Sequence, residues 1–110
     1  MRIILDTNFI IYALQCRVRI EEELRRILDV NFEIFVIQQT LDELKKLKNS
    51  LALKYAGQFP VIKEEGYADD VLKKLSNENT IIATMDRNLQ MSLKRKIIIR
   101  QKKYLALSFQ

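Results

Sequence analysis

The chain has 110 residues, 48% of them hydrophobic and 30% charged, with a net charge of +5. That size and balance suit one soluble domain spanning residues 1–110. No run approaches the ~20 apolar residues that cross a bilayer, so the expectation is a cytoplasmic protein with no membrane partner. The absence of histidine excludes Ser-His-Asp and Cys-His catalysis and the usual zinc sites, and the single cysteine, Cys16, excludes an internal disulfide and reads as an inert, partly buried residue.

The apolar run Ile3–Leu5 makes residues 2–5 a first buried strand, which ends abruptly in Asp6. Thr7 or Asn8 can cap the helix that follows, in which Phe9, Ile10, Ala13 and Leu14 share one side. Residues 20–29 read as a second helix with a stripe of Ile20, Leu24, Ile27 and Leu28. Glu21 and Glu22 stand four residues before Arg25 and Arg26 there, and the helix is assigned packing only.

Phe32–Ile37, β-branched and aromatic, reads as a second buried strand. Leu41, Leu44, Leu47 and Leu51 then recur at intervals of three and four, predicting one continuous helix. Glu43 borders its apolar stripe, whereas Asp42 points to water. A turn or two of helix around Leu53–Phe59 is broken by Gly57 and Pro60, and Val61–Gly66 reads as a loop. A helix over Tyr67–Leu75 carries Asp69 and Asp70 in its first turn, where the helix dipole alone favours acids. After a turn at Asn77–Asn79, residues 80–84 hold a third strand, followed closely by Asp86 and a short helix through Leu89 and Leu93. Ile97–Ile99 is a fourth strand, and Tyr104–Phe109 a fifth short one or a tail.

Apolar strands alternating with helices predict an α/β fold: three layers, α/β/α, around a mostly parallel sheet of four to five strands. Ligands of such sheets bind outside the carboxyl ends of the strands, where Asp6 and Asp86 both fall. Glu43 and the Asp69/Asp70 pair ride on helices that must pack against the same sheet. Carboxylates gathered there repel one another and call for a counter-charge, and an all-oxygen acidic pocket suits Mg²⁺ or Mn²⁺. Such an ion serves phosphodiester hydrolysis without any histidine. Asn8 is either a helix cap or a partner for a metal-bound water.

Charge is unevenly spread. The first 86 residues carry 12 basic and 14 acidic side chains, whereas after Asp86 there is no acid and Arg87, Lys94, Arg95, Lys96, Arg100, Lys102 and Lys103 are all basic. That flank suits a polyanion such as RNA.

Four stretches together, Ile4-Leu-Asp-Thr-Asn-Phe9, Leu41-Asp-Glu-Leu44, Tyr67-Ala-Asp-Asp-Val-Leu72 and Ile82-Ala-Thr-Met-Asp-Arg87, resemble the PIN-domain nucleases in order and spacing. The Ala-Asp-Asp and Ala-Thr-x-Asp-Arg stretches and the late Arg-Gln-Lys-Lys-Tyr104 are most similar to the archaeal and eukaryotic branch that processes small-subunit ribosomal RNA. The resemblance implies a Mg²⁺- or Mn²⁺-dependent, endonucleolytic ribonuclease with Asp6, Glu43, Asp70 and Asp86 as its acidic site. Asp69 would be an extra ligand, and Asn8 and Thr84 would support the ligands. The family pattern favours Asp70 over Asp69, while the helical wheel favours Asp69. Met85 and Asn88 depart from positions where the family often has Asn and an acid.

The partners implied are RNA and a pre-ribosomal particle. Two further readings stay open: a catalytically inactive RNA-binding or assembly factor, and the toxin half of a toxin–antitoxin pair, whose partner would be the antitoxin. A homodimer is also open, with Tyr55 and Phe59 either its contact aromatics or part of the core. An aspartyl-phosphatase or phospho-acceptor receiver fits less well, since each wants a second acid near Asp6 and this chain has Asp6-Thr-Asn8.

Overall fold

A computed structural model of the chain describes residues 1–109. The elements run β1 (Arg2–Leu5), α1 (Thr7–Gln15), α2 (Ile20–Ile27), β2 (Glu33–Ile37), α3 (Gln38–Lys46), α4 (Ser50–Ala56), β3 (Val61–Ile62), α5 (Ala68–Leu75), β4 (Thr80–Ala83), α6 (Arg87–Ser92), β5 (Arg95–Arg100) and β6 (Tyr104–Phe109). The six strands form one sheet in the order β3-β2-β1-β4-β5-β6, parallel throughout except for β6. Chain direction across the sheet reverses at β1, between β2 and β4, so the carboxyl ends of β1 and β4 flank the switch point where ligands of open α/β sheets bind.

Strand pleating divides the core between two faces. Ile3, Leu5, Ile34, Val36, Ile81, Ala83, Ile97 and Leu105 pack with Phe9 and Ile10 of α1, Leu24 of α2, Leu44 of α3 and Ala52 and Ala56 of α4. On the other face Ile4, Ile37 and Ile82 pack with Val71 and Leu72 of α5 and with Leu89 and Leu93 at α6. The three-layer α/β/α architecture therefore follows the sequence expectation, with six strands rather than four or five. No helix among the described residues is long and apolar enough to cross a membrane.

The additional strand is β3, where a loop was expected. Two residues carry no periodicity, yet they pair in parallel with Val36 and Ile37, and Pro60 immediately before them accepts from the Val36 N–H at 3.1 Å. A short edge strand entered through proline is a usual way to end a sheet. The leucine repeat also divides. Lys48 takes a left-handed φ of 54°, and Asn49 starts α4 by accepting from Ala52 N at 3.1 Å. Of the four leucines only Leu44 is fully buried; Leu47 and Leu51 are 57% and 66% exposed.

The second helix does more than pack. At the open edge of β6 the Leu105 N–H donates to Glu23 Oε1 at 2.9 Å, and the Leu105 carbonyl accepts from Arg26 Nη2 at 2.8 Å. Glu23 and Arg26 also pair with each other at 3.0 Å, in place of the four-residue pairs expected from Glu21 and Glu22. Glu21 turns inward to accept from the Tyr55 hydroxyl at 2.7 Å. Tyr55 and Phe59 meet edge-to-face at 5.2 Å and pack on the larger core cluster, in line with the core reading of the two left open for them.

Candidate functional site

Asp6 follows three fully buried residues of β1, and its own backbone extends the ladder by donating to the Ala83 carbonyl at 2.9 Å. It, rather than Thr7 or Asn8, is the N-cap of α1: Oδ1 accepts from Thr7 N at 2.8 Å. Its side chain is held at 6% exposure between the ends of β1 and β4.

Thr84, fully buried just beyond β4, joins the two strand ends. Its hydroxyl donates to Asp6 Oδ2 at 2.8 Å and accepts from Asp86 N at 3.1 Å. The Thr84 carbonyl in turn accepts from Gln90 Nε2 at 2.9 Å. Asn8 Oδ1 accepts from Met85 N at 3.1 Å, tying α1 to the same turn. Asp86 caps α6, with Oδ1 accepting from Asn88 N at 2.9 Å and Leu89 N at 3.2 Å. Asp6 and Asp86 are therefore linked through one threonine hydroxyl, each carboxylate oriented by the start of the helix it caps.

Burial pushes the Asp6 carboxyl above its ordinary range. The hydrogen bonds from Thr84 and Thr7 oppose that rise, and the charges of Asp69 and Glu43 add to it. Glu43 of α3 and Asp69 of α5 thus lie within electrostatic reach of Asp6. Asp70 is not among the groups acting on Asp6. It lies about 100° further round α5, so the electrostatics follow the helical wheel in preferring Asp69. Among the described residues, the side chains of Glu43, Asp69 and Asp70 make no hydrogen bond or ion pair in a chain whose net charge is +5.

The donor set is all oxygen, and a buried carboxylate opposed by neighbouring acids lacks a counter-charge. Both features fit Mg²⁺ or Mn²⁺ in chemical type. No three acids among the described residues stand close enough together to enclose an ion. Asp6 and Asp86 are the anchored members of the set, and Glu43 and Asp69 are exposed side chains within electrostatic reach of Asp6.

The basic flank divides between the two ends of the sheet. Lys94 and Arg95 lie at the amino end of β5, lining a hollow of about 510 Å³ with Lys73, Asn77 and Glu78, and Arg95 Nη2 donates to the Glu78 carbonyl at 2.7 Å. Lys96 is 7% exposed and its ammonium donates to the Leu93 carbonyl at 3.4 Å, so it is not a free surface cation. Arg87, Arg100, Lys102 and Lys103 are exposed at the carboxyl end, beside the acids. Three of them sit on the β5–β6 hairpin, where Lys103 N donates to the Arg100 carbonyl at 3.0 Å and the central residues Gln101 and Lys102 are left-handed, at φ 53° and 57°. This is the geometry of a type I′ turn, built here without the usual Asn-Gly.

Two residues of the site escaped the sequence reading. Gln90 lies four residues after the Asp86 cap, a spacing that returns its side chain to the strand end. Gln39 Nε2 donates to the carbonyls of Glu64 at 2.7 Å and Gly66 at 2.8 Å, pinning the segment that leads into α5.

A family model described as a PIN-like domain matches residues 3–102. Ribonuclease VapC4 of Methanocaldococcus jannaschii is 32% identical over 122 aligned positions, covering 94% of this chain and 93% of that protein. Among solved structures, that of the PIN domain endonuclease Utp24 superposes with a TM-score of 0.84 at 23% identity, over 99% of this chain and 92% of that one, a likeness of fold. The chain accordingly belongs to the PIN-like domain family.

Proposed function

We propose that the protein is a divalent-metal-dependent ribonuclease whose site is Asp6, Glu43, Asp69 and Asp86, with Asp70 at its margin. The observation that carries this reading is the buried Asp6, tied through the Thr84 hydroxyl to the Asp86 backbone N–H, with unpaired acids in electrostatic reach of it. Mg²⁺ or Mn²⁺, when bound, supplies Lewis acidity, lowering the pKa of a water and offsetting charge on phosphate oxygens. The protein's own part is positional. Thr7 N–H and the Thr84 hydroxyl aim the two Asp6 oxygens, and the first turn of α6 fixes Asp86. With no histidine in the chain, no imidazole shares the proton transfers. Arg87 and the hairpin cations meet the RNA backbone. The acids stand at the open carboxyl edge of the sheet, so a strand can lie across them without threading an end, which favours internal cleavage.

A free-standing ribonuclease of the toxin type, with an antitoxin as partner, is better supported than a role in ribosomal RNA processing. The relative matched along nearly its whole length is named as a ribonuclease. A homodimer remains a proposal, for which exposed Leu47 and Leu51 offer apolar surface.

The test is cleavage of single-stranded and structured RNA by purified protein with Mn²⁺ or Mg²⁺, alongside Asp6→Asn and Asp86→Asn. Metal-dependent cutting lost in both variants is expected. A wild type that cuts no better than they do leaves only the inactive RNA-binding reading.

A further inference from the structure

We propose that Tyr67 is a base-stacking platform that sets where an RNA strand lies across the acidic site. This rests on the ribonuclease reading and adds a substrate-positioning residue to it. Tyr67 is the N-cap of α5, two residues before Asp69, whose charge acts on Asp6. Its side chain is 84% exposed, the most exposed large hydrophobic residue of the described chain. Neither its ring nor its hydroxyl makes a hydrogen bond or ring contact among the described residues. An exposed tyrosine is ordinary by itself; its place two residues before Asp69 is what offers an aromatic face to a base at this site.

The backbone beneath Tyr67 is held in place. Gln39 Nε2 bonds the carbonyls of Glu64 and Gly66, and Gly66 takes a φ of 125°, a conformation that L residues rarely adopt. A ring on a pinned support loses little entropy when a base stacks on it. Every base has a π-face, so such a platform positions RNA without reading its sequence.

Position along the sheet supports the assignment. Tyr67 follows β3 and is tied to α3, on the β2 side of the acids; Arg87 and the Arg100–Lys103 hairpin stand on the β5 side. Three interstrand steps of ~4.8 Å separate β2 from β5, roughly 14 Å. At ~3.4 Å per stacked nucleotide, that width corresponds to about four nucleotides.

The chain has no tryptophan, so Tyr67→Trp introduces a unique fluorophore. In an Asp86→Asn background, which prevents cleavage, single-stranded RNA should quench that fluorescence, with the midpoint given by anisotropy of a labelled oligonucleotide. In the active protein, Tyr67→Ala should raise KM about 10-fold or more with kcat within about 2-fold, and Tyr67→Phe should restore KM. Binding without quenching, or Tyr67→Ala kinetics equal to wild type in a protein that cleaves RNA, overturns the platform and leaves the ribonuclease reading standing. A wild type that neither cleaves nor binds RNA overturns both.

Discussion

Replacing Thr84 by valine keeps the volume of a fully buried side chain and removes only the hydroxyl that joins the two strand ends. Asp6 Oδ2 then loses a hydrogen bond of 2.8 Å, and Asp86 N–H loses its acceptor at 3.1 Å. A bond to a charged group contributes about 1.5–3 kcal/mol and an orphaned buried donor costs about 1–3 kcal/mol; since one hydroxyl serves both, a net loss of about 2–4 kcal/mol is expected at neutral pH. Thr84→Ser keeps the hydroxyl and loses one methyl, about 0.8–1.5 kcal/mol. Urea melts should therefore rank wild type above serine and serine above valine.

The pH dependence has a definite sign. Asp6 titrates above its ordinary value of 3.8 in the folded state, so its contribution to stability is fully present below that value and declines as pH rises through the folded pKa. Valine removes a bond that lowers the pKa, which extends the decline upward. The deficit of Thr84→Val should grow from mildly acidic to neutral pH. A valine variant as stable as the serine variant, or a deficit independent of pH, would refute the bridging role of the hydroxyl.

Three further outcomes are expected. Asp69→Asn should reduce cleavage at least about 10-fold more than Asp70→Asn, and by removing a charge that opposes Asp6 ionisation it should stabilise the metal-free protein at pH 7; equal effects of the two changes would count against the assignment. Changing Arg100, Lys102 and Lys103 together to glutamine should flatten the log–log salt dependence of RNA binding by roughly 0.7 for each cation removed from a phosphate, whereas Lys94→Gln at the far end of the sheet should leave it unchanged. Glu23→Ala strips the Leu105 N–H of its acceptor and Arg26 of its partner, and should cost about 1–2 kcal/mol in urea melts and raise aggregation by light scattering as the β6 edge opens.

Much of the site is legible in the sequence because strand ends are. Ile3–Leu5 before Asp6, and Ile81–Ala83 before Thr84 and Asp86, are continuous apolar runs, and a parallel sheet places their carboxyl ends side by side. Between Asp69 and Asp70 the helical wheel and the family pattern disagreed, and it is the charge of Asp69, the acid the wheel favours, that acts on Asp6. The split of the basic flank was hidden for a different reason. Arg95 and Arg100 belong to one strand but lie at opposite ends of it, and a count of charges carries no direction. The Leu41–Leu51 repeat misled because Lys48 and Asn49 break the helix with a local turn, leaving Leu47 and Leu51 in solvent. β6 was recognised only as a strand or a tail: it pairs with the neighbouring β5, but the sealing of its edge depends on Glu23 and Arg26, some 80 positions away.

The central proposal is that Asp6 and Asp86, with Glu43 and Asp69, would hold the divalent ion. Crystals soaked in Mn²⁺ and measured at the manganese edge test it directly. Anomalous density should appear between the two carboxylates, with Asp69 or Glu43 drawn toward it, and should vanish in Asp86→Asn crystals. Density absent from this position in a protein that cleaves RNA with Mn²⁺ would contradict the account.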